Sequence, residues 1–181
     1  MRWLVVVLRL PTEPSRHRVA VWRELRKVGA LSLGQGVWAV PELPAFEAGL
    51  RRALELTDRA GGQRLILRAS GRSDEDAERF RALFCAARAA EWREFLDECD
   101  KYEAEIAKEI RIEKLTLAEL DEEEQSLERL RRWHRELVVR DLFGTPEASE
   151  AGERLKQCAD ACDDYAERVF RAVHEPPGPP R

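Results

Sequence analysis

The first 70 residues of the chain switch between strand-like and helix-like patterns of hydrophobic residues. Trp3 to Leu10 is a near-continuous apolar run rich in valine, the pattern of a central strand buried on both faces. After Pro14, hydrophobic residues recur at helical spacing until Gly29, which is typical of a helix C-cap. The sequence therefore predicts a helix over residues 16–28, with Ser15 as its expected N-cap residue.

A hairpin and a second helix are expected next. Residues 31–41 alternate around Gly34-Gln35-Gly36, a pattern that indicates a β-hairpin. An amphipathic helix from Pro44 to Ala60 follows, and then a short strand from Leu65 to Leu67. This order predicts an α+β unit of ferredoxin-like βαββαβ topology, with four antiparallel strands covered on one face by two helices. The runner-up is a winged helix, which requires a helix where this sequence has a strand.

The composition changes after residue 72, where hydrophobic residues recur at steps of three and four. One long helix is expected from Asp74 to about Ile110. A second is opened by the capping box Thr116 to Glu119, and a third has Pro146 at its first position. We therefore divide the chain into three parts: a ferredoxin-like basic domain (1–72), an acidic antiparallel bundle of about three long helices (73–174) and a disordered tail (175–181).

The formal net charge of −4 conceals a strong asymmetry along the chain. Residues 1–72 contain 13 Arg or Lys and 6 Asp or Glu, a net charge of +7. Residues 73–181 contain 18 basic and 29 acidic residues, a net charge of −11. A basic half suits a polyanion, which an acidic half would repel. If the protein binds nucleic acid, we expect the contacts to come from its N-terminal part.

Six basic side chains are concentrated in the first predicted helix. We expect Val19, Trp22, Leu25 and Val28 to form its buried stripe, with the cations on its other faces. Three interpretations stay open: contact with nucleic-acid phosphates, ion pairing with acidic helices of the same or another subunit, and a site for a small oxyanion. The candidate residues are Arg16, His17, Arg18, Arg23, Arg26 and Lys27.

The remaining chemistry-bearing residues indicate structural roles. Cys158 and Cys162 lie four residues apart on one predicted helix and are interpreted as small core residues. Together with Cys85 and Cys99 they show no CxxC spacing, and a redox role for the four cysteines is left open. Three scattered histidines form no catalytic pattern. We therefore predict no catalytic residue, metal site or cofactor. No signal peptide or membrane span is recognisable, and the expected location is the cytoplasm.

The segment RLPTEPSRHRVAVWRELRKVGALSLGQGVWAVP resembles the N-terminal domain of ChrB, the regulator associated with bacterial chromate-resistance operons. The later RRWHREL and RDLF segments are similar to the remainder of that domain. The βαββαβ order, with its Val37-Trp38 pair in the hairpin, is also similar to a domain of the repressor PaaX. A further similarity is to the CRISPR protein that forms the dimeric centre of the spacer-integration complex.

The resemblance implies a non-enzymatic transcriptional regulator linked to chromate resistance, which would bind double-stranded DNA through helix 16–28 as a homodimer. A full ChrB has a further C-terminal domain held responsible for sensing chromate, so we expect this chain to be a stand-alone or truncated version. The alternative is a dimeric scaffold whose basic helix meets acidic helices. A metal-dependent nuclease is disfavoured, because nuclease relatives have an aspartate where this first strand ends in Val7-Leu8-Arg9-Leu10.

Overall fold

The computed structural model describes residues 1–174, and the disordered tail expected at residues 175–181 lies outside this range. The described residues form four strands and five helices, which confirms the α+β class. In chain order they are β1 (Trp3–Arg9), α1 (Ser15–Val28), β2 (Leu31–Gly34), β3 (Val37–Pro41), α2 (Pro44–Arg59), β4 (Gln63–Ala69), α3 (Asp74–Arg111), α4 (Leu117–Arg140) and α5 (Pro146–His174). α1 begins at Ser15 itself, so Pro14 and not Ser15 occupies the N-cap position.

The four strands form one antiparallel sheet in the order β2-β3-β1-β4. β1 lies in the centre, where Val6 is opposite Trp38 of β3 on one side and Ile66 of β4 on the other. The predicted central position of the valine-rich strand is therefore confirmed, but its burial on both faces is not complete, because Leu4, Val5 and Val7 are only partly buried. β4 is longer than the predicted segment Leu65 to Leu67, and it is an edge strand with a neighbour on one side only.

α1 and α2 pack closely against each other. The buried residues of α1 are Val21, Leu25 and Val28. A Cβ atom placed on Gly49 of α2 would lie 2.6 Å from the Val28 Cγ2 atom, so a side chain there would force the two helices apart. Close packing between the helices therefore depends on a glycine at position 49.

The predicted buried stripe of α1 is wrong at two positions. Val19 is 41% exposed and Trp22 is 49% exposed, whereas Val21 is buried. The series Val19, Trp22, Leu25 advances by three residues each time and therefore drifts around the helix, because a turn takes 3.6 residues. Val21, Leu25 and Val28, at spacings of four and three, stay on one face. Trp22 therefore lies on the solvent side among the basic residues.

The chain divides into two compact units, with the boundary between Ala87 and Arg88 inside α3. The first unit comprises the sheet, α1, α2 and the first part of α3. In this unit, Trp3 of β1 packs edge-to-face against Phe80 and Phe84, at ring-centroid distances of 4.7 and 5.3 Å. The beginning of α3 is thus anchored on the central strand.

The second unit has its own hydrophobic core, formed by the rest of α3 with α4 and α5. Cys99, Cys158 and Cys162 are buried in this core, which confirms the interpretation of Cys158 and Cys162, whereas Cys85 is only partly buried and is not part of it. The Asp141 carboxylate, directly after α4, links the three helices of this unit. It accepts hydrogen bonds from the indole Nε1 of Trp92 in α3 at 2.9 Å and from the hydroxyl of Thr145, directly before α5, at 2.8 Å. The RDLF segment therefore has a structural role through its aspartate.

Candidate nucleic-acid interface

Five of the six candidate residues lie on the solvent side of α1. Arg16, Arg23 and Lys27 are spaced by seven and four residues and form one line along the helix, which is the arrangement that 3.6 residues per turn produces. Arg18 and Arg26 are also exposed. We call these five residues the basic face. His17, between Arg16 and Arg18 in the chain, is partly buried and is not counted in this face.

The basic face surrounds an exposed aromatic ring that sequence reasoning assigned to the core. Trp22 lies between the basic residues, and the Arg26 guanidinium carbon is 5.4 Å from the centroid of its ring, a cation–π contact. The signal that could have identified this position is the i,i+4 spacing of Arg18 and Trp22, which puts them on one side of the helix.

Most of the basic face lacks carboxylate partners in its own unit. Glu24, the acidic residue within α1, pairs instead with Arg52 of α2 at 2.7 Å. Within residues 1–87, no carboxylate forms an ion pair with Arg16, Arg18, Arg23 or Lys27. The positive charges of these four residues are therefore not neutralised by ion pairs within the first unit.

A cavity of about 750 Å³ opens beside the basic face. We call it the α1 cleft. Its wall includes the end of β1 and the β2–β3 hairpin, which are joined by a hydrogen bond from the Leu8 N–H to the Gly36 carbonyl at 2.8 Å. The lining residues are Leu8, Arg9, Leu10, Ser15, Arg18, Val19, Val21, Trp22, Arg23, Leu25, Gln35, Gly36 and Trp38.

Gly36 allows the hairpin to approach β1 this closely. A Cβ atom at this position would lie 2.4 Å from the Leu8 carbonyl oxygen, and the positive φ of 81° is one that glycine adopts easily. The fold thus brings Arg9 and Gln35, from two other elements, to the same cleft as Arg18 and Arg23. Sequence reasoning missed this grouping because it depends on strand pairing.

The other candidate groups are not brought together. Among residues 1–174, no group of three or more His, Cys, Asp or Glu side chains could hold a metal ion. His134 lies on α4 and His174 ends α5. Burial lowers the pKa of His134, whose Nε2 atom is buried without a hydrogen-bond partner among the described residues.

No helix in the described part of the chain is long and apolar enough to cross a membrane.

The sequence profile of the family described as Protein ChrB, N-terminal, matches residues 18–176. The chain belongs to this family. It is also similar to Protein ChrB of Cupriavidus metallidurans, with 31% identity over 96 residues. That alignment covers 53% of this chain and 29% of the relative, so the match spans less than a third of that protein. The resemblance identified from the PSRHRVAVWRELRKVGA segment is confirmed at the level of the family.

Proposed function

We propose that this chain is the DNA-binding part of a non-enzymatic, ChrB-type transcriptional regulator linked to chromate resistance. The observation that supports this function best is the basic face of α1, which is exposed and has at least four cations without a carboxylate partner in the first unit. Cations that a fold leaves unpaired on one helix face are suited to a polyanion.

The proposed contacts are to phosphates of duplex DNA. Arginine can bind a phosphate with two parallel hydrogen bonds, and these contacts supply affinity and orientation without reading the sequence. Arg16, Arg18, Arg23, Arg26 and Lys27 are the proposed contact residues, and His17 lies at their partly buried border. No residue is assigned to reading bases.

A ferredoxin-like sandwich is the fold that we propose for the first unit. The element order βαββαβ and the antiparallel strand order β2-β3-β1-β4 support it. Three long helices joined by short connections support an antiparallel bundle after it. In this arrangement α1 would present its basic face while the sheet provides a rigid base beneath it.

The test is a fluorescence-anisotropy titration of a labelled duplex of about 30 base pairs at several salt concentrations. We expect the affinity of the intact protein to fall steeply with salt, because bound phosphates release counterions. The variant Arg16→Ala/Arg18→Ala/Arg23→Ala should bind at least tenfold more weakly. The slope of log affinity against log salt should decrease by roughly 0.9 for each phosphate that the variant no longer neutralises.

The matched control removes three exposed arginines that already have partners. Arg79, Arg168 and Arg171 pair with Glu75, Asp164 and Glu167 at 2.7 to 2.8 Å, and their replacement by alanine changes the net charge equally. If the two triple variants lose affinity equally, total charge and not the basic face drives binding. If the intact protein does not bind at low salt, the proposed function fails and the scaffold alternative takes its place.

We further propose that two copies of the chain pair through the edge strand β4. Leu65, Ile66 and Leu67 of this strand are 54%, 38% and 48% exposed. An unpaired edge with exposed hydrophobic residues is a template for another strand. Residues 64–68 read RLILR, which is the same in both directions, so antiparallel pairing centred on Ile66 would place Leu65 opposite Leu67 of the second copy.

Charge is compatible with this pairing. It would bring Arg64 close to Arg68 of the second copy, but each is paired with a carboxylate of its own chain. Arg64 is 2.9 Å from Asp58, and Arg68 is 2.7 Å from Glu42. Ile66→Lys would place two lysines on the two-fold axis, so we expect it to convert a dimer to a monomer in sedimentation-velocity experiments.

The control for this variant is Leu83→Lys, which introduces the same charge at an exposed leucine of α3 outside the edge strand. It should leave the sedimentation coefficient unchanged. The edge-strand dimer is wrong if the intact protein sediments as a monomer at all concentrations, or if Ile66→Lys sediments as the intact protein does.

A further inference from the structure

The α1 cleft combines an apolar floor with guanidinium groups at its rim. Its volume of about 750 Å³ falls within the range of small-molecule sites, which is roughly 300–1,000 Å³. The apolar lining comes from β1 and the loop after it, from α1 and from β3, and consists of Leu8, Leu10, Val19, Val21, Leu25, Trp22 and Trp38. The cationic lining consists of Arg9, Arg18 and Arg23. Such a cavity favours a ligand with an apolar body and a negative charge.

Two tryptophans border the cleft and differ in burial. Trp38 is only 8% exposed, whereas Trp22 on α1 is 49% exposed. The Arg26 guanidinium covers part of the Trp22 ring, and about half of the side chain still faces water. A flat apolar ligand would cover this exposed surface of Trp22.

The charge of the ligand follows from the arginines. Arg9, Arg18 and Arg23 form no ion pair with a carboxylate of the first unit, so a cationic ligand would be repelled. A simple inorganic oxyanion would satisfy the guanidinium groups but leave the apolar lining in water. An uncharged aromatic molecule would do the opposite. An aromatic carboxylate or phosphate satisfies both parts of the cleft.

We propose that the α1 cleft binds an aromatic organic anion, with its ring against Trp22 and its anionic group on Arg18 and Arg23. An effector role for this ligand rests in addition on the proposed function. Because Arg18 and Arg23 are also proposed contacts for DNA phosphates, ligand and DNA would exclude each other. Competition raises the apparent dissociation constant of DNA in proportion to the ligand concentration over the ligand's own dissociation constant, so the ligand would act as an effector that releases DNA.

The first test is isothermal titration calorimetry of the intact chain with defined probes. We expect 2-naphthoate or 2-naphthyl phosphate to bind with a dissociation constant in the range of about one millimolar or below. 2-Naphthamide, which keeps the ring but lacks the charge, should bind at least tenfold more weakly, as should sulfate, which lacks the ring. Comparison of naphthoate with naphthyl phosphate identifies which anionic group the arginines prefer.

Variants locate the binding site. Trp22→Ala and Arg18→Ala/Arg23→Ala should each weaken naphthoate binding at least tenfold, whereas the control Arg79→Ala/Arg81→Ala, on α3 of the same unit, should bind as the intact protein does. Urea unfolding checks that each variant is folded, and Trp22→Phe, which keeps an aromatic ring, should retain most of the affinity. The proposal is wrong if acid and amide bind equally, or if Trp22→Ala leaves naphthoate affinity unchanged.

A competition experiment separates this proposal from the DNA-binding one. Saturating naphthoate should weaken duplex binding at least tenfold, while the same concentration of naphthamide should not. If naphthoate binds but duplex DNA never does, the proposed function fails and the cleft assignment stands on the titration. If DNA binds and naphthoate does not, the cleft assignment fails alone. If both bind at once without mutual effect, the effector role is wrong.

Discussion

The arginines of α1 and the arginines around Glu91 are the same residue type in opposite surroundings. Arg88 and Arg140 are buried in the second unit and share the Glu91 carboxylate, at 3.0 and 3.9 Å. Arg18 and Arg23 face solvent and pair with no carboxylate of the first unit. Burial and pairing therefore distinguish two sets of cations that a count of charges treats as equal.

This difference predicts which measurement detects the removal of each set of charges: folding stability for the buried set, and binding of a partner for the exposed set. Removing a charged group that buried cations depend on leaves uncompensated charge in a low-dielectric interior, so folding stability falls. An exposed cation adds little to stability, because water already solvates it, and its loss is seen when a partner binds. The cations around Glu91 are thus expected to stabilise the fold, and those of α1 to serve recognition.

The largest expected effect on stability comes from Glu91→Ala. This change removes the carboxylate shared by Arg88 and Arg140 and leaves a cavity beside two buried guanidinium groups. We expect the free energy of unfolding to fall by about 3–5 kcal/mol, the range found when one partner of a buried ion pair is removed. Urea unfolding followed by far-ultraviolet circular dichroism measures the change.

The control is Glu167→Ala, which removes the partner of Arg171 from an exposed pair on α5 with a separation of 2.8 Å. Its cost should be at most about 0.5 kcal/mol. The distinction between buried and exposed cations would be wrong if Glu91→Ala and Glu167→Ala lowered the free energy of unfolding by the same amount. It would be sharpened if Arg16→Ala/Arg18→Ala/Arg23→Ala unfolds at the same urea concentration as the intact protein while losing DNA affinity.

Most of the secondary structure could be predicted from the sequence because its signals are local. The bounds of the helices beginning at Asp74 and Pro146 depend on periodicity and on capping residues close in the chain. The Thr116 hydroxyl accepts a hydrogen bond from the Glu119 N–H, as the capping box predicted. The exact length of β4 was missed, since its ends are determined by pairing with a distant strand.

The sequence predicted the basic residues of the candidate site but not the residues that line the cleft beside them. The cations of α1 are contiguous in sequence and were found by their density. The position of Trp22 and the contributions of Arg9 and Gln35 to the cleft were not found, because they depend on which face α1 packs against α2 and on how the hairpin meets β1. Periodicity favoured a stripe through Val19 and Trp22, whereas the packing of α1 buries Val21 with Leu25 and Val28 instead.

The smallest expected effect on stability concerns His134 of the second unit. Unlike the exposed cations of α1, this histidine is partly buried, and burial disfavours its charged form. His134 packs against two aromatic rings, with its centroid 5.3 Å from that of Trp92 and 5.6 Å from that of Phe95. Desolvation by burial lowers its pKa from the ordinary value of 6.5. As the pH falls below 6.5, the unfolded chain therefore takes up this proton before the folded protein does, and the free energy of unfolding decreases.

Replacement His134→Gln removes this proton while keeping a polar side chain. The free energy of unfolding of each protein is measured against pH, and the curve of the variant is subtracted from that of the intact protein. The difference should decrease as the pH is lowered from about 7 to 5, with a slope that corresponds to at most one proton. Above about pH 7.5 the two curves should run parallel, because a histidine that stays neutral in both states contributes no slope. A difference that is flat across the acidic range would mean that His134 binds its proton equally well in both states, and that burial in the second unit does not exclude charge at this position.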